Sequence, residues 1–345
     1  MTNTRVVVDA GKWLGEFRHM WNYIGYDEIN YTTVPDGEKT LEKFMHLAER
    51  QYYVRAHHLL CTGNCLGIPK WGSTNVYLED EAGNPVYSWE IIDEIFDTLL
   101  KYNLKPFVEL GFMPLHLADD RGQRSYRDGG WACPPKDYDK WYGLIYELVK
   151  HCVERYGPKE VASWYWELWN EPDLTYYWKG SLEEFCKLYD YTVAAVEAAF
   201  PEAQVGGPAT CGPMPDSRSS QWLDGFLDHC VNGTNYYTKT TGTRMDFITF
   251  HAKGANYGTD VRAAKQLPST KSLVSQVRLG LDIIDKYPTL KDLPCILSEC
   301  DPDGWAAGGA WDNPNLAFRN TEYYASYVAT TFKKLIDTEN EYKRR

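Results

Sequence analysis

A parallel α/β barrel of the (β/α)8 type is the fold class this sequence predicts, and three observations predict it. Short apolar runs alternate with helical patterns seven times along the 345 residues. The runs are apolar on both faces, as strands buried in a parallel sheet are. No Gly-x-Gly-x-x-Gly follows any of them, which speaks against a doubly wound dinucleotide-binding sheet.

The first run, MWNYIGYDE (20–28), is the weakest strand candidate. YYVRAHHLL (52–60), LKPFVEL (104–110), SWYWELWN (163–170), AQVGG (203–207), MDFITFH (245–251) and PCILSE (294–299) follow as clearer strands. Helical spacing separates them: Ile92, Ile95, Phe96 and Leu99 share one face, as do Tyr138, Trp141, Tyr142, Ile145, Leu148, Val149 and Cys152. Ser181 with Glu184 three residues later forms a capping box opening a helix over 182–199. After a helix around 315–337 the chain reads DTENEYKRR, with no eighth strand, so about seven βα units and a gap are expected. Near the start, RVVVD (5–9) is strand-like, which divides the chain into an N-terminal segment, 1–19, and a barrel, 20–345.

Composition narrows the function. A hydrophobic fraction of 43% is enough for a large core, and 13 Trp with 26 Tyr either fill that core or stack on sugar faces. The net charge of −12 argues against a nucleic-acid partner. No run approaches ~18 continuous apolar residues, so no membrane partner is expected. MTNTRVVVDAGKW lacks the charged start and apolar run of a signal peptide, and the nine cysteines are odd in number and scattered. A cytoplasmic location is the expectation. Cys61 and Cys65 stand four apart with no second pair, so no zinc site is expected there.

In a barrel the C-terminal strand ends form the active-site mouth. Those ends carry His57, Glu109, Asn170, Glu171, His251 and Glu299. Each alone reads as a polar strand end meeting solvent; together they point to one pocket. Glu171 closes the fourth strand and Glu299 the seventh, across the mouth from each other. Two carboxylates facing one pocket suit glycoside hydrolysis, as acid and nucleophile ~5–5.5 Å apart in a retaining enzyme. Glu171 follows Trp166, Leu168 and Trp169, so a raised pKa and the acid role are expected of it. Glu299, in ILSECDPDG, is then the nucleophile and needs donors that keep it ionised. Period-two alternation puts Glu167 on the face of Glu171 and Arg55 on that of His57. Glu167 and Arg55 are expected lower in the mouth as ionic support, unless Glu167 faces an outer helix and meets a lysine.

WYWELWNEPDL (164–174), YYVRAHHLL, KPFVELGFMP, DFITFHAKG and ILSECDPDG, taken in order, resemble glycoside hydrolase family 39, the β-xylosidases of clan A. CLGIPKWGSTNVYLEDEAGNP and AFRNTEYYASYVATTFKKLID resemble its bacterial branch. The resemblance implies a retaining exo-enzyme that cleaves β-xylosidic bonds in small oligosaccharides or aryl glycosides, with no cofactor and no metal. Related members take β-galactosides or α-L-arabinosides. It implies Glu171 as acid/base, Glu299 as nucleophile, Asn170 on the sugar 2-hydroxyl, and His57 and His251 lining the site; Arg55 and Glu109 join the substrate-binding set. Lys253 departs from the pattern, standing where many clan members place a tyrosine against the nucleophile. Its ammonium is expected on Glu299, with Tyr257 as another candidate. The resemblance also implies an eighth strand, a last helix and a small β-sandwich beyond this sequence, with RVVVD as the part that joins the sandwich; a monomer is expected without it. Trp305, Trp311, Phe112 and Trp131 are candidates for the bulk that closes a pentose pocket. Two other readings stay open: a barrel that binds sugar without turnover, and a metal-dependent hydrolase using His57, His58 and His251. Against the latter, His57 and His58 point to opposite faces of their strand.

Overall fold

The computed structural model describes residues 5, 7–13, 18–47, 51–63, 73–119, 121, 130–255, 267–305 and 309–344. Its elements in chain order are β1 (Tyr23–Tyr26), α1 (Pro35–Leu47), β2 (Tyr53–Ala56), β3 (Tyr77–Glu79), β4 (Pro85–Tyr87), α2 (Glu90–Lys101) and β5 (Lys105–Leu110). Then come α3 (Tyr138–Tyr156), α4 (Pro158–Val161), β6 (Tyr165–Leu168), α5 (Leu182–Ala199), β7 (Gln204–Thr210) and α6 (Arg218–Asn232). The chain continues through β8 (Phe247–Lys253), α7 (Thr270–Ile284), β9 (Cys295–Asp301) and α8 (Glu322–Tyr342).

Seven strands form one parallel sheet in the order β1-β2-β5-β6-β7-β8-β9, each carried by one of the apolar runs. The sheet curls until β1 approaches β9, yet no ladder joins those two strands among the described residues. This is the nearly closed, (β/α)8-type barrel that the alternation predicts.

Side-chain alternation builds the barrel in layers. Tyr23, Tyr53, Phe107, Tyr165, Phe247 and Ile296 fill the floor, with Tyr165 ring centroids 4.9 Å from Tyr53 and 5.0 Å from Phe247. Two residues further along β2 and β6 stand Arg55 and Glu167, so a charged layer lies directly on an aromatic one. Space there is tight, since a Cβ on Gly206 of β7 would lie 2.3 Å from the Phe247 carbonyl oxygen. On the outer face, Trp164 packs 5.2 Å from Phe96 of α2 and 5.3 Å from Tyr156 of α3.

Two features differ from the sequence reading. Val7 and Val8 of RVVVD are 76% and 80% exposed and belong to no strand, so their backbone groups are open to water rather than to a ladder. Arg18, paired with Glu339, and His19, against Trp21 and Tyr52, pack onto the barrel just before β1. An unpredicted hairpin pairs β3 with β4, closed by Asp80, whose carboxylate accepts from the Ala82 and Asn84 backbone N–H groups, and by Gly83 at φ +81°. Among the described residues no helix is long and apolar enough to cross a membrane.

Candidate active site

The end of β6 turns sharply. Trp169 and Glu171 adopt left-handed φ values of 67° and 44°, which residues with a Cβ normally avoid. The Glu171 N–H donates to the Ala209 carbonyl 2.8 Å away, anchoring the turn on β7. The Glu171 side chain is thereby aimed over the barrel, into a cavity of about 1320 Å³ lined also by Arg55, His57, Asn170, Lys253 and Glu299.

Arg55 organises the floor of this cavity. Its Nε donates to Glu167 Oε2 at 2.5 Å, Nη2 to Asn170 Oδ1 at 3.0 Å and Nη1 to Glu299 Oε1 at 3.2 Å, and Nη2 also lies 3.1 Å from Glu109 Oε2. The expected ionic support beneath the mouth is thus present, and Glu167 faces inward. Because the Asn170 carbonyl is taken by Arg55, its NH2 is the end left for other partners.

His57 bridges two carboxylates, with Nδ1 2.6 Å from Glu109 Oε2 and Nε2 3.2 Å from Glu299 Oε1. Burial opposes its charge, but Glu109 and Glu299 outweigh burial and raise its pKa to about 10, so both ring nitrogens donate. Glu109, expected among the substrate-binding residues, is 1% exposed and does not line the cavity; it stands behind His57 and Arg55. His251 is likewise fully buried, its Nδ1 2.8 Å from Glu171 Oε1 and 3.5 Å from Glu299 Oε2.

Lys253 places its Nζ on both Glu299 and Asp301. Its backbone is clamped by Gln276, which accepts from the Lys253 N–H and donates to its carbonyl, both at 2.9 Å. Asp301 was not singled out from the sequence. It lies two residues beyond Glu299 on the same strand face, so period-two counting from Glu299 reaches it. Trp305 lines the cavity, Trp311 is 99% exposed, and Phe112 and Trp131 pack on each other at 4.9 Å without lining it. Tyr257 and Cys65 lie outside the described residues.

The two facing carboxylates have unequal surroundings. Burial raises the Glu299 pKa, but His251, Lys253 and His57 overcome it and hold Glu299 well below the usual carboxylate range. For Glu171 a raised pKa was expected from neighbouring rings; instead it is lowered. Burial does raise it, but the hydrogen bond and charge of His251 outweigh burial. Trp166 sits on the outer face of β6, next to Trp164, and does not supply the dry wall imagined for Glu171.

Ligand atoms of Glu171, His251 and Glu299 all lie within 4.8 Å of one another. This is a possible metal-ligand trio, but Glu299 is already held by Lys253 and Arg55, so a divalent ion would have to displace two cations. Two carboxylates this close, one held ionised, suit acid and nucleophile chemistry better.

A parallel barrel whose mouth holds such a pair is the architecture of a glycoside hydrolase. The chain belongs to the glycosyl hydrolases family 39, whose profile matches residues 4–343. A β-xylosidase of Geobacillus stearothermophilus is 39% identical over 201 residues, covering 58% of this chain and 36% of the relative. An α-L-iduronidase of Canis lupus familiaris is 35% identical over 313 residues, 89% of this chain and 43% of the relative. The crystal structure of a monomeric β-xylosidase from Caulobacter crescentus CB15 superposes with a TM-score of 0.68 at 28% identity, over 84% of this chain and 54% of that one. The chain thus spans about half the length of these relatives, or less.

Proposed function

We propose that this glycoside hydrolase is a retaining exo-enzyme that cleaves β-xylosides by double displacement. Glu299 attacks the anomeric carbon while Glu171 protonates the departing oxygen; Glu171 then takes a proton from the water that releases the sugar from Glu299. The observation that carries this reading is the carboxylate pair: oxygens within 4.8 Å, with Arg55, His57 and Lys253 on Glu299 and His251 on Glu171. The Asn170 NH2, oriented by Arg55, is placed to hold the sugar 2-hydroxyl, an interaction that strengthens in the transition state. The test is release of nitrophenol from an aryl β-xyloside. Glu299→Gln and Glu171→Gln should each cut kcat by at least about a hundredfold, the range of general acid–base and nucleophilic contributions. Sugar binding with no turnover in the parent chain would instead favour a non-catalytic sugar binder.

A second reading concerns the sugar. Lys253 is a buried ammonium where a neutral pentose needs none, and its partner Asp301 is 47% exposed and open to displacement. A uronic acid would offer Lys253 its own carboxylate, and relatives named α-L-iduronidase are among the matches. Comparing aryl β-xyloside with aryl α-L-iduronide decides between the two. The pentose reading expects the higher kcat/KM on xyloside.

A further inference from the structure

Glu299, on β9, draws its partners from β2, from His57 just beyond it, and from β8. The loops after β6 and β7 supply none of them, yet they form a continuous part of the same cavity wall beside Glu171. In the retaining reading on which this inference rests, Glu171 protonates the departing oxygen, so the space along its loops receives the aglycone. Two features there lie apart from the side chains that contact Glu299. Leu174 and Met214, one from each loop, are large apolar side chains left 38% and 42% exposed on the cavity wall. The same wall carries Arg218, the first residue of α6.

Arg218 is fixed yet unspent. Its Nε donates to the Asp173 carbonyl at 2.6 Å, and its guanidinium lies 5.3 Å from the Trp222 ring centroid. Its Nη groups reach no carboxylate among the described residues. That is unusual in a chain with 48 acidic and 36 basic residues, where Arg55, Arg244 and Arg319 around the barrel each hold at least one carboxylate. A guanidinium held by a backbone carbonyl and an aromatic face on a cavity wall is prepared for an oxyanion.

We infer that Leu174, Met214 and Arg218 form an aglycone subsite that takes a leaving group with an apolar face and an anionic substituent, a carboxylate or a sulfate. Asp173, whose carboxylate accepts from the Cys211 N–H at 2.9 Å while its carbonyl holds Arg218, locks the two loops together and sets the subsite's distance from Glu171.

The test uses two aryl β-xylosides that differ in one group: 4-carboxyphenyl and its neutral methyl ester. Each is measured with the parent chain, Arg218→Met and Arg218→Lys, by kcat/KM and by equilibrium binding to the same three proteins on the Glu171→Gln background. Taking each variant relative to the parent cancels the intrinsic reactivity of the two leaving groups. Arg218→Met should lower the carboxylate-to-ester preference about tenfold, as expected for one charge-assisted hydrogen bond, and Arg218→Lys should restore part of it. The 4-sulfophenyl xyloside, as a third arm, separates carboxylate from sulfate recognition. Equal losses on charged and neutral substrates, or no preference in either measurement, would overturn the subsite. Because binding is read on a catalytically blocked background, a parent chain that fails to turn over but still prefers the carboxylate overturns the hydrolytic reading and leaves the subsite standing.

Discussion

The two carboxylates differ in how many donors reach them, and that difference assigns their roles. Glu299 meets a guanidinium, an ammonium and a charged imidazole, whereas Glu171 meets His251 and the Cys211 thiol. An acid must hold its proton, yet His251 lowers the Glu171 pKa. The protonated fraction of Glu171 therefore falls early as pH rises, and the alkaline limb of the rate profile should lie on the acid side of where burial alone would put it. Replacing His251 with Gln removes the lowering influence, so Glu171 keeps its proton to higher pH and the alkaline limb of kcat/KM moves upward. The acid limb, which belongs to Glu299 protonating, should move the same way, because His251 also helps hold Glu299 ionised. Measured kcat/KM against pH on an aryl xyloside checks both shifts; an alkaline limb that stays in place would mean that another group sets it.

Strands β2 and β6 are tied across the barrel by Arg55 and Glu167, stacked on the aromatic floor. With Glu167→Gln, Arg55 loses one of its carboxylate charges in a buried layer and swings toward Glu109. Asn170 and Glu299, both held by Arg55, move with it. Stability should fall by about 2 kcal/mol, the scale of one charged buried hydrogen bond, read as a lower urea midpoint at unchanged slope. Turnover should fall together with it; unchanged turnover in a folded variant would remove Glu167 from the supporting layer. This tie was legible in the sequence because period-two counting needs only the strand and the residue types. So was each barrel strand, since both-face apolar runs have few other uses. The pKa of Glu171 was not legible. Sequence adjacency placed Trp166 beside it, but alternation sends that ring outward, and the true neighbour, His251, lies 80 residues away on β8. The β3–β4 hairpin escaped for a different reason: strands of three residues carry too little periodicity to register, and only Asp80 and Gly83 marked the turn.

Across the whole molecule, the space between β1 and β9 is continuous with the catalytic cavity and is lined by Trp21, Phe332 and Leu335 as well as by the polar mouth. Both flanking strands turn one edge toward it with no ladder partner among the described residues. Unpaired edges beside apolar side chains favour association with another chain, and charge repulsion opposes it. At pH 7 the net charge of −12 keeps copies apart. Near the isoelectric point of about 5.2 that repulsion vanishes while the edges remain. Sedimentation velocity should therefore find a single monomeric species at neutral pH and low salt. Lowering the pH toward 5.2, or screening the charge with salt, should bring concentration-dependent larger species. A monomer that persists at the isoelectric point at high concentration would mean that α8 and the residues before β1 cover these edges well enough to need no help from charge.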